Sequence, residues 1–226
     1  MIINVISLKG GVGKTTISIN LAAYLRKEYN KRILLVDSNF NNYSTKLFSK
    51  FKLKEYGERL YNGIYPLKYF HLKILRSIPK EIEKDLELLK RYYDYIIFDL
   101  PNDLEIILNF EKVSNLNLLI LNSDIFSLFS NYYLFQLLDK NKTKLILNKY
   151  DGNKEIIKFI ERKFGKNVST VISFDKEIEK INYNRIPIIY SKSKRKIIKE
   201  FDELASLITG KRKKFSIFER ILSLFL

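Results

Sequence analysis

The sequence lacks cysteine and tryptophan and has a single histidine, His71, among its 226 residues. Without cysteine, disulfides, thiolate metal sites and cysteine nucleophiles are excluded, and one histidine argues against a histidine metal site or triad. No apolar run approaches the roughly 20 residues that span a bilayer. Met1–Leu8 leads into Lys9 and a glycine-rich loop, so no secretory cleavage site is readable. These features predict a protein in the cytoplasm, or one bound peripherally to a membrane from the cytoplasmic side.

Negative charge is scarce relative to positive charge. The chain has 25 Asp and Glu against 41 Lys and Arg, which leaves a formal net charge of +16. We therefore expect anionic partners, namely a nucleotide, a nucleic acid or an acidic membrane surface. Rich usage of Lys, Ile, Asn and Tyr is also typical of an AT-rich genome, so the charge alone does not establish DNA binding. A hydrophobic content of 46% is enough for one large core.

Apolar, β-branched runs alternate with helical periodicity along most of the chain. Predicted strands are Ile2–Leu8, Arg32–Asp37, Leu72–Leu75, Tyr95–Asp99, Leu116–Asn122, Lys144–Asn148 and Val168–Ser173. Predicted helices are Lys14–Tyr29, Lys80–Tyr93, Phe126–Asp139, Lys154–Phe164 and Lys194–Thr209, with a helix and a solvated loop within Asn39–Pro66. This alternation predicts an α/β domain over residues 1–210, with a central, mainly parallel sheet flanked by helices on both faces, followed by a tail at 211–226.

A glycine-rich loop joins the first predicted strand to the first predicted helix. It consists of Lys9, Gly10, Gly11, Val12, Gly13, Lys14, Thr15 and Thr16. In a phosphate-binding loop the glycines allow backbone N–H groups to wrap the phosphates, and the helix N-terminus adds its positive end. We therefore expect this loop to bind ATP, with Lys14 at the β- and γ-phosphate oxygens and Thr15 as a ligand of Mg²⁺.

Lys9, an extra lysine at the start of this loop, makes the sequence resemble the MinD/ParA family of deviant Walker A P-loop ATPases. Further segments that resemble family motifs are Leu34–Asp37, Tyr93–Pro101, Leu147–Lys149, Val171–Asp175 and Pro187–Ile188. The resemblance covers nearly the whole chain and implies ATP and Mg²⁺ as cofactors. It also implies an ATP-dependent homodimer, in which Lys9 touches the partner's nucleotide. By the same resemblance, Asp37 and Asp99 have magnesium-linked roles and Asn148 contacts adenine.

These three polar residues also have a purely structural interpretation. Asp37 and Asp99 end predicted strands, where nearby backbone groups can satisfy a carboxylate. Ligands of a parallel sheet bind beyond the carboxyl ends of its strands, however, and this favours the magnesium role. Asn148 also lies at a strand end, where asparagine is a common turn former.

Two segments depart from the family pattern. Residues 37–39 read Asp-Ser-Asn where the family usually has Asp-x-Asp, so Asn39 replaces the second carboxylate. The resemblance assigns that carboxylate the positioning of the attacking water, and an amide does not accept a proton at physiological pH. We therefore expect slow hydrolysis, or reliance on another group. Residues 101–103 read Pro-Asn-Asp after the fourth predicted strand, where Asp103 either approaches the γ-phosphate or caps a helix.

The tail begins with four adjacent cations, Lys-Arg-Lys-Lys at 211–214, and continues as Phe215–Leu226. Wound as a helix, the latter segment places its polar residues on one arc and its apolar residues on the rest. Each cation near an anionic leaflet contributes on the order of 1 kcal/mol, and inserted Phe, Leu and Ile side chains add a hydrophobic part. The tail therefore predicts reversible attachment to an anionic membrane surface. Docking on the protein's own core or on a partner protein is the alternative.

Two functions are favoured by these features, and an adaptor that binds nucleotide without turnover is a third possibility. The first is a MinD-like, dimerising and slow Mg-dependent ATPase for spatial organisation, for example in cell division, that attaches to a membrane through Phe215–Leu226. The second is a ParA-like partition ATPase that binds DNA non-specifically through a basic face. The tail favours the first, because MinD carries a short amphipathic tail of this kind and partition ATPases generally do not. In either case an activating partner protein is a further candidate partner.

Overall fold

A mixed sheet with helices on both faces forms the described part of the protein. The structure, a computed structural model, describes residues 1–39, 59–75, 77–176, 178, 186–191 and 195–211, without the side chain of residue 195. The strands are β1 (Ile2–Ile6), β2 (Ile33–Asp37), β3 (Tyr65–Pro66), β4 (His71–Ile74), β5 (Tyr95–Asp99), β6 (Leu116–Leu121), β7 (Thr143–Tyr150) and β8 (Val168–Ser173). The helices are α1 (Lys14–Tyr29), α2 (Ile82–Leu89), α3 (Leu104–Val113), α4 (Ile125–Leu137), α5 (Lys154–Phe164) and α6 (Arg195–Thr209).

The sheet has the order β3-β4-β2-β5-β1-β6-β7-β8. Its strands pair in parallel except at one edge, where β3 runs antiparallel to β4. The central strands β1, β2, β5 and β6 are buried along their whole length, as expected for parallel strands covered on both faces. Because these strands all run in one direction, their carboxyl ends meet at one edge of the sheet.

Two hydrophobic layers separate the helices from the sheet. On one face α1 and α6 pack through residues that include Tyr24 and Phe201. On the other face α2, α3, α4 and α5 surround a core that includes Phe98, Phe110 and Phe135. The predicted α/β class with helices on both faces is therefore confirmed.

Most predicted elements are present, with changes at their ends. The helix predicted over Lys80–Tyr93 is shorter, because after Leu89 the chain tightens into turns in which Arg91 N–H donates to the Leu88 carbonyl. Helix α3 and the two-residue strand β3 were not among the predicted elements. Most of the helix and loop predicted within 39–66, and the tail from residue 212, lie outside the described residues.

Within the described ranges, the helices are too short or too polar to cross a bilayer.

Candidate functional site

The glycine-rich loop lies at the carboxyl edge of the sheet, between β1 and the start of α1. Gly11 and Gly13 have φ angles of 75° and 98°, in the left-handed region that favours glycine. Gly13 is the residue before α1, and its carbonyl accepts the N–H of Ile17 at 3.0 Å, so the first helical turn starts directly from the loop. The loop backbone and the positive end of α1 consequently face the same space.

Two asparagines from neighbouring elements hold this loop in place. Asn131 of α4 accepts hydrogen bonds from Leu8 N–H at 3.0 Å and from the Ser7 hydroxyl at 3.1 Å. Asn148 of β7 donates from Nδ2 to the Val12 carbonyl at 2.7 Å. A Cβ atom at Gly13 would collide with the same Asn148 amide, so this close approach requires glycine in addition to the φ angle.

Lys14 begins α1 and its side chain is buried against the loop, with 6% of its surface exposed. Its ammonium group donates to Oδ1 of Asn102, from the segment that follows β5. Burial lowers the pKa of Lys14, and the negative charge of Asp99 opposes that shift. The ammonium group is largely desolvated, and its hydrogen-bond partner is a neutral amide. Its positive charge is therefore available to bind an anion.

Two carboxylates lie side by side at the ends of adjacent strands. Asp37 of β2 and Asp99 of β5 occupy directly paired positions in the parallel register, and both are buried. The Thr15 hydroxyl donates to Oδ2 of Asp99 at 2.6 Å. Burial and the charge of Asp37 raise the pKa of Asp99 above its ordinary range.

This donor set fits Mg²⁺. Two carboxylates and a hydroxyl are hard oxygen ligands, and a divalent cation would offset both the burial and the repulsion from Asp37 that raise the pKa of Asp99. Asp99 and Thr15 are already in contact, and Thr15 also lines the space in front of the loop.

A cleft of about 450 Å³ opens in front of the loop, a size typical of small-molecule sites. Its lining comprises Gly10, Gly11, Val12, Gly13, Lys14, Thr15, Thr16, Asn39, Asn102, Asn148, Lys149, Ser173, Phe174, Asp175 and Ile178. One end is therefore polar and rich in backbone N–H groups, whereas the end beyond β7 and β8 carries the half-exposed ring of Phe174. Glu200 of α6 fixes that end by accepting from the Ser173 N–H at 2.9 Å and its hydroxyl at 2.6 Å.

The residues singled out from the sequence lie at different depths around this cleft. Lys9 is exposed at the start of the loop, and Asn39 lines the cleft with its N–H donating to Oδ1 of Asp37 at 3.0 Å. Asp103 is the N-cap of α3 and accepts from the N–H of Ile106 at 2.9 Å. Of the two roles expected for Asp103, the structure therefore shows helix capping.

The sequence did not identify the roles of one cleft residue, Asn102, and of one residue behind the cleft, Asn131. The departure at 101–103 drew attention to Asp103, yet Asn102 is the residue that contacts Lys14. Asn131, which holds the loop, was not singled out either. The sequence feature that could have identified Asn131 is its place on the apolar face of α4, because a buried amide needs hydrogen-bond partners.

The fold and the loop geometry agree with comparisons to known proteins. Residues 3–188 match the CobQ/CobB/MinD/ParA nucleotide binding domain. The chain belongs to this family. Membership confirms the resemblance drawn from Lys9 and the accompanying motifs.

Among relatives in this family, the chain is similar to the chromosome-partitioning ATPase Soj of Thermus thermophilus, with 36% identity over 112 residues. That alignment covers 42% of this chain and 44% of Soj, so the chain spans less than half the length of this relative.

Solved structures share the fold over nearly the full chain. A chain of the MinC:MinD cell division protein complex of Aquifex aeolicus superposes with a TM-score of 0.77 at 19% identity, covering 95% of this chain and 98% of that one. The septum site-determining protein MinD of Pyrococcus horikoshii, complexed with Mg-ADP, gives 0.76 at 21%, covering 95% and 99%. A plasmid partition protein of Borrelia burgdorferi bound to AMPPNP gives 0.72 at 20%, covering 92% and 98%.

Proposed function

We propose that the protein is a MinD-like ATPase that binds Mg·ATP in the cleft, dimerises in response and attaches reversibly to an anionic membrane. Residues 1–210 form the ATPase domain in this proposal and residues 211–226 form the membrane-binding tail. The observation that carries the nucleotide part is the convergence of the buried Lys14 and Asp99 with Thr15 beneath a glycine loop at the start of α1.

Each part of the cleft has a role in nucleotide binding. The N–H groups of the loop and Lys14 bind the phosphates, while Thr15, Asp37 and Asp99 hold Mg²⁺. The metal ion supplies charge neutralisation at the phosphate oxygens. Beyond β7 and β8 the ring of Phe174 offers a stacking surface for the base. Asn148 supports the loop through Val12, and its place in the lining is consistent with an additional contact to adenine.

Hydrolysis is proposed to be slow. Asn39 lines the cleft, but its side chain is an amide and does not take a proton from water. The neighbouring Asp37 is committed to the metal-binding pair in this proposal. Turnover then depends on orientation of water without a base, or on a group that an activating partner protein supplies.

A protein contact near the nucleotide is supported by the surface of α4. Phe126, Phe129, Tyr133 and Leu137 follow one another at helical spacing, and each exposes between 46% and 73% of its surface. Asn131 of the same helix contacts Leu8 just before the loop, so α4 lies beside the nucleotide cleft and carries the stripe on its exposed side. Exposed apolar stripes of this kind mark protein interfaces. The stripe and the exposed Lys9 support an ATP-dependent homodimer or an activating partner at this edge.

DNA is the alternative surface. The net charge of +16 and the sequence similarity to Soj, a chromosome-partitioning ATPase by name, support a ParA-like role. Salt weakens both kinds of attachment and does not separate them. Removal of the tail separates the two proposals, because membrane attachment needs the cations and the apolar side chains of the tail together.

Co-sedimentation with vesicles and with duplex DNA tests the choice of surface. The full chain and a chain that ends at Gly210 are compared in the presence of a non-hydrolysable ATP analogue. The membrane proposal predicts that the full chain sediments with vesicles rich in phosphatidylglycerol and that the shortened chain does not. Equal vesicle binding by both chains, or binding of the full chain to DNA alone, would overturn it.

A further inference from the structure

A second cleft, of about 530 Å³, lies at the amino-terminal end of the sheet, opposite the nucleotide cleft. We call it the basal groove. It is lined by Arg26, Arg32, Ile33, Tyr61, Ile64, Leu67, Lys68, Phe70, His71, Leu88, Leu89, Tyr92 and Tyr93. These residues come from the end of α1, the starts of β2 and β4, the segment before β4 and the end of α2. The two clefts therefore do not share a lining residue.

The charge of the basal groove is positive. Arg26, Arg32 and Lys68 are exposed along it, and its described lining contains neither Asp nor Glu. Asp94, which is outside the lining, accepts from Arg32 N–H at 2.8 Å and lies 3.5 Å from its Nε. That pair offsets one of the three cations and leaves the groove with an excess of positive charge. The groove therefore favours an anion.

The shape of the groove combines an apolar floor with an amphipathic rim. Phe70, Leu89 and Tyr93 are buried below, whereas Tyr61 and Tyr92 expose 39% and 61% of their surface at the rim. Tyrosine is favoured where an apolar phase meets water, because its ring is apolar and its hydroxyl is polar. The ligand that matches this arrangement has an anionic group at the rim and an apolar part that reaches the floor.

The groove also lies where the chain enters its basic tail. The Tyr29 hydroxyl, in the last turn of α1, donates to the carbonyl of Lys211 at 3.1 Å. Arg26 precedes Tyr29 by about one helical turn. Lys211, the first cation of the tail, therefore contacts the same end of α1 that supplies Arg26 to the basal groove.

We propose that the basal groove binds the phosphate headgroup of an anionic membrane lipid, with Arg26, Arg32 and Lys68 around the phosphate and the first acyl carbons over Phe70 and Leu89. This inference rests on the proposed membrane function. A nucleic-acid phosphate is the weaker match, because a duplex backbone leaves the apolar floor without a partner. Headgroup binding adds selectivity for anionic lipid to the attachment that the tail provides.

Calorimetric titration of the full chain with a soluble short-chain lipid tests this site separately from the tail. Dihexanoyl phosphatidylglycerol is used below its micelle concentration, with saturating Mg-ADP so that the nucleotide cleft is filled. Dihexanoyl phosphatidylcholine, inorganic phosphate and a short DNA duplex are the comparison ligands. Arg26→Ser with Lys68→Ser is the groove variant. Lys154→Ser with Lys199→Ser is the matched control, because it removes two exposed cations elsewhere.

The groove variant is expected to bind the phosphatidylglycerol about tenfold more weakly or worse, and the control to bind it like the wild type. Equal affinity of the groove variant would overturn the inference, as would wild-type binding of the phosphatidylcholine, inorganic phosphate or DNA as strong as that of the phosphatidylglycerol. If removing the tail abolishes vesicle binding and the groove variant binds vesicles like the wild type, the proposed function stands and the proposed lipid site in the groove is wrong. Vesicle binding that does not depend on the tail would instead overturn the proposed function.

Discussion

The side-chain carbonyl of Asn102 accepts a hydrogen bond from the ammonium group of Lys14. Lys14 is the buried cation of the nucleotide cleft, and Asn102 is the residue that lies against it before a phosphate arrives. A charged side chain at position 102 would therefore change the net charge next to Lys14, where the phosphates are proposed to bind.

Asn102→Asp is expected to weaken ATP binding by about tenfold or more, or roughly 1.4 kcal/mol. A carboxylate at this position pairs with Lys14 and repels the phosphates from the same site. Asn102→Ala removes the amide without adding charge and should change the affinity by only about twofold. Asp103→Asn is the matched control, since it alters charge one residue away and keeps a capping side chain. Calorimetric titration with ATP measures all three, and equal affinity of Asn102→Asp and wild type would contradict the placement of the phosphates.

Gly13→Ala is expected to destabilise the protein more than Gly11→Ala. Both positions have left-handed φ angles, so each alanine costs about 1–2 kcal/mol in backbone strain. At Gly13 the new Cβ also collides with Asn148, whereas at Gly11 it meets no described atom within 4 Å. The double variant Gly13→Ala with Asn148→Ala relieves the collision, so its loss should be smaller than the sum of the single losses. Urea unfolding measures these differences, and strict additivity would show that the Asn148 contact is not constraining.

Asn39→Asp is expected to raise ATP turnover by about tenfold or more, because it restores a carboxylate that can act on water at the cleft. Asn39→Ala is the control and should not raise turnover. Phosphate release under saturating ATP is the measurement, with nucleotide affinity checked in parallel. Unchanged turnover in the aspartate variant, with normal binding, would contradict the proposal that Asn39 limits hydrolysis.

Asp94 should contribute to stability in a pH-dependent way. Its hydrogen bond from Arg32 N–H and the nearby guanidinium hold the pKa of Asp94 below its usual range. A carboxyl group shifted in this direction stabilises the fold above its ordinary pKa of about 3.9, and the contribution is lost as the pH falls toward the folded-state value. Asp94→Asn should therefore be less stable than the wild type near neutral pH, with a difference that shrinks below about pH 4. A difference that grows on acidification would contradict this assignment.

The elements with strong local signals were predictable from the sequence. The glycine loop followed by Lys14 indicated where α1 begins, and the apolar runs indicated β5 and β8. Strand β3 has only two residues and owes its pairing to β4, so no local pattern identifies it. Helix α3 is short, and its Asp103 cap was noticed only as one of two alternatives.

The candidate site was predictable in its types of residue but not in its contacts. The spacing of the motif placed Lys14 and Thr15 together, and the strand-end rule placed Asp37 beside Asp99. The contact between Asn148 and Val12 joins residues 136 positions apart, so it depends on the order of strands in the sheet. The contact between Asn102 and Lys14, which are 88 positions apart, likewise depends on the arrangement of strands in the sheet.

Vesicle co-sedimentation of the full chain under nucleotide control tests the central claim, a membrane switch operated by ATP, most directly. Vesicles containing phosphatidylglycerol are mixed with wild type or with Lys14→Ala, each in the presence of ADP or of a non-hydrolysable ATP analogue. The wild type is expected to sediment strongly with the ATP analogue and weakly with ADP, and Lys14→Ala is expected to sediment weakly with either nucleotide. Equal sedimentation of the wild type with both nucleotides, or a Lys14→Ala variant that still responds to the analogue, would contradict it.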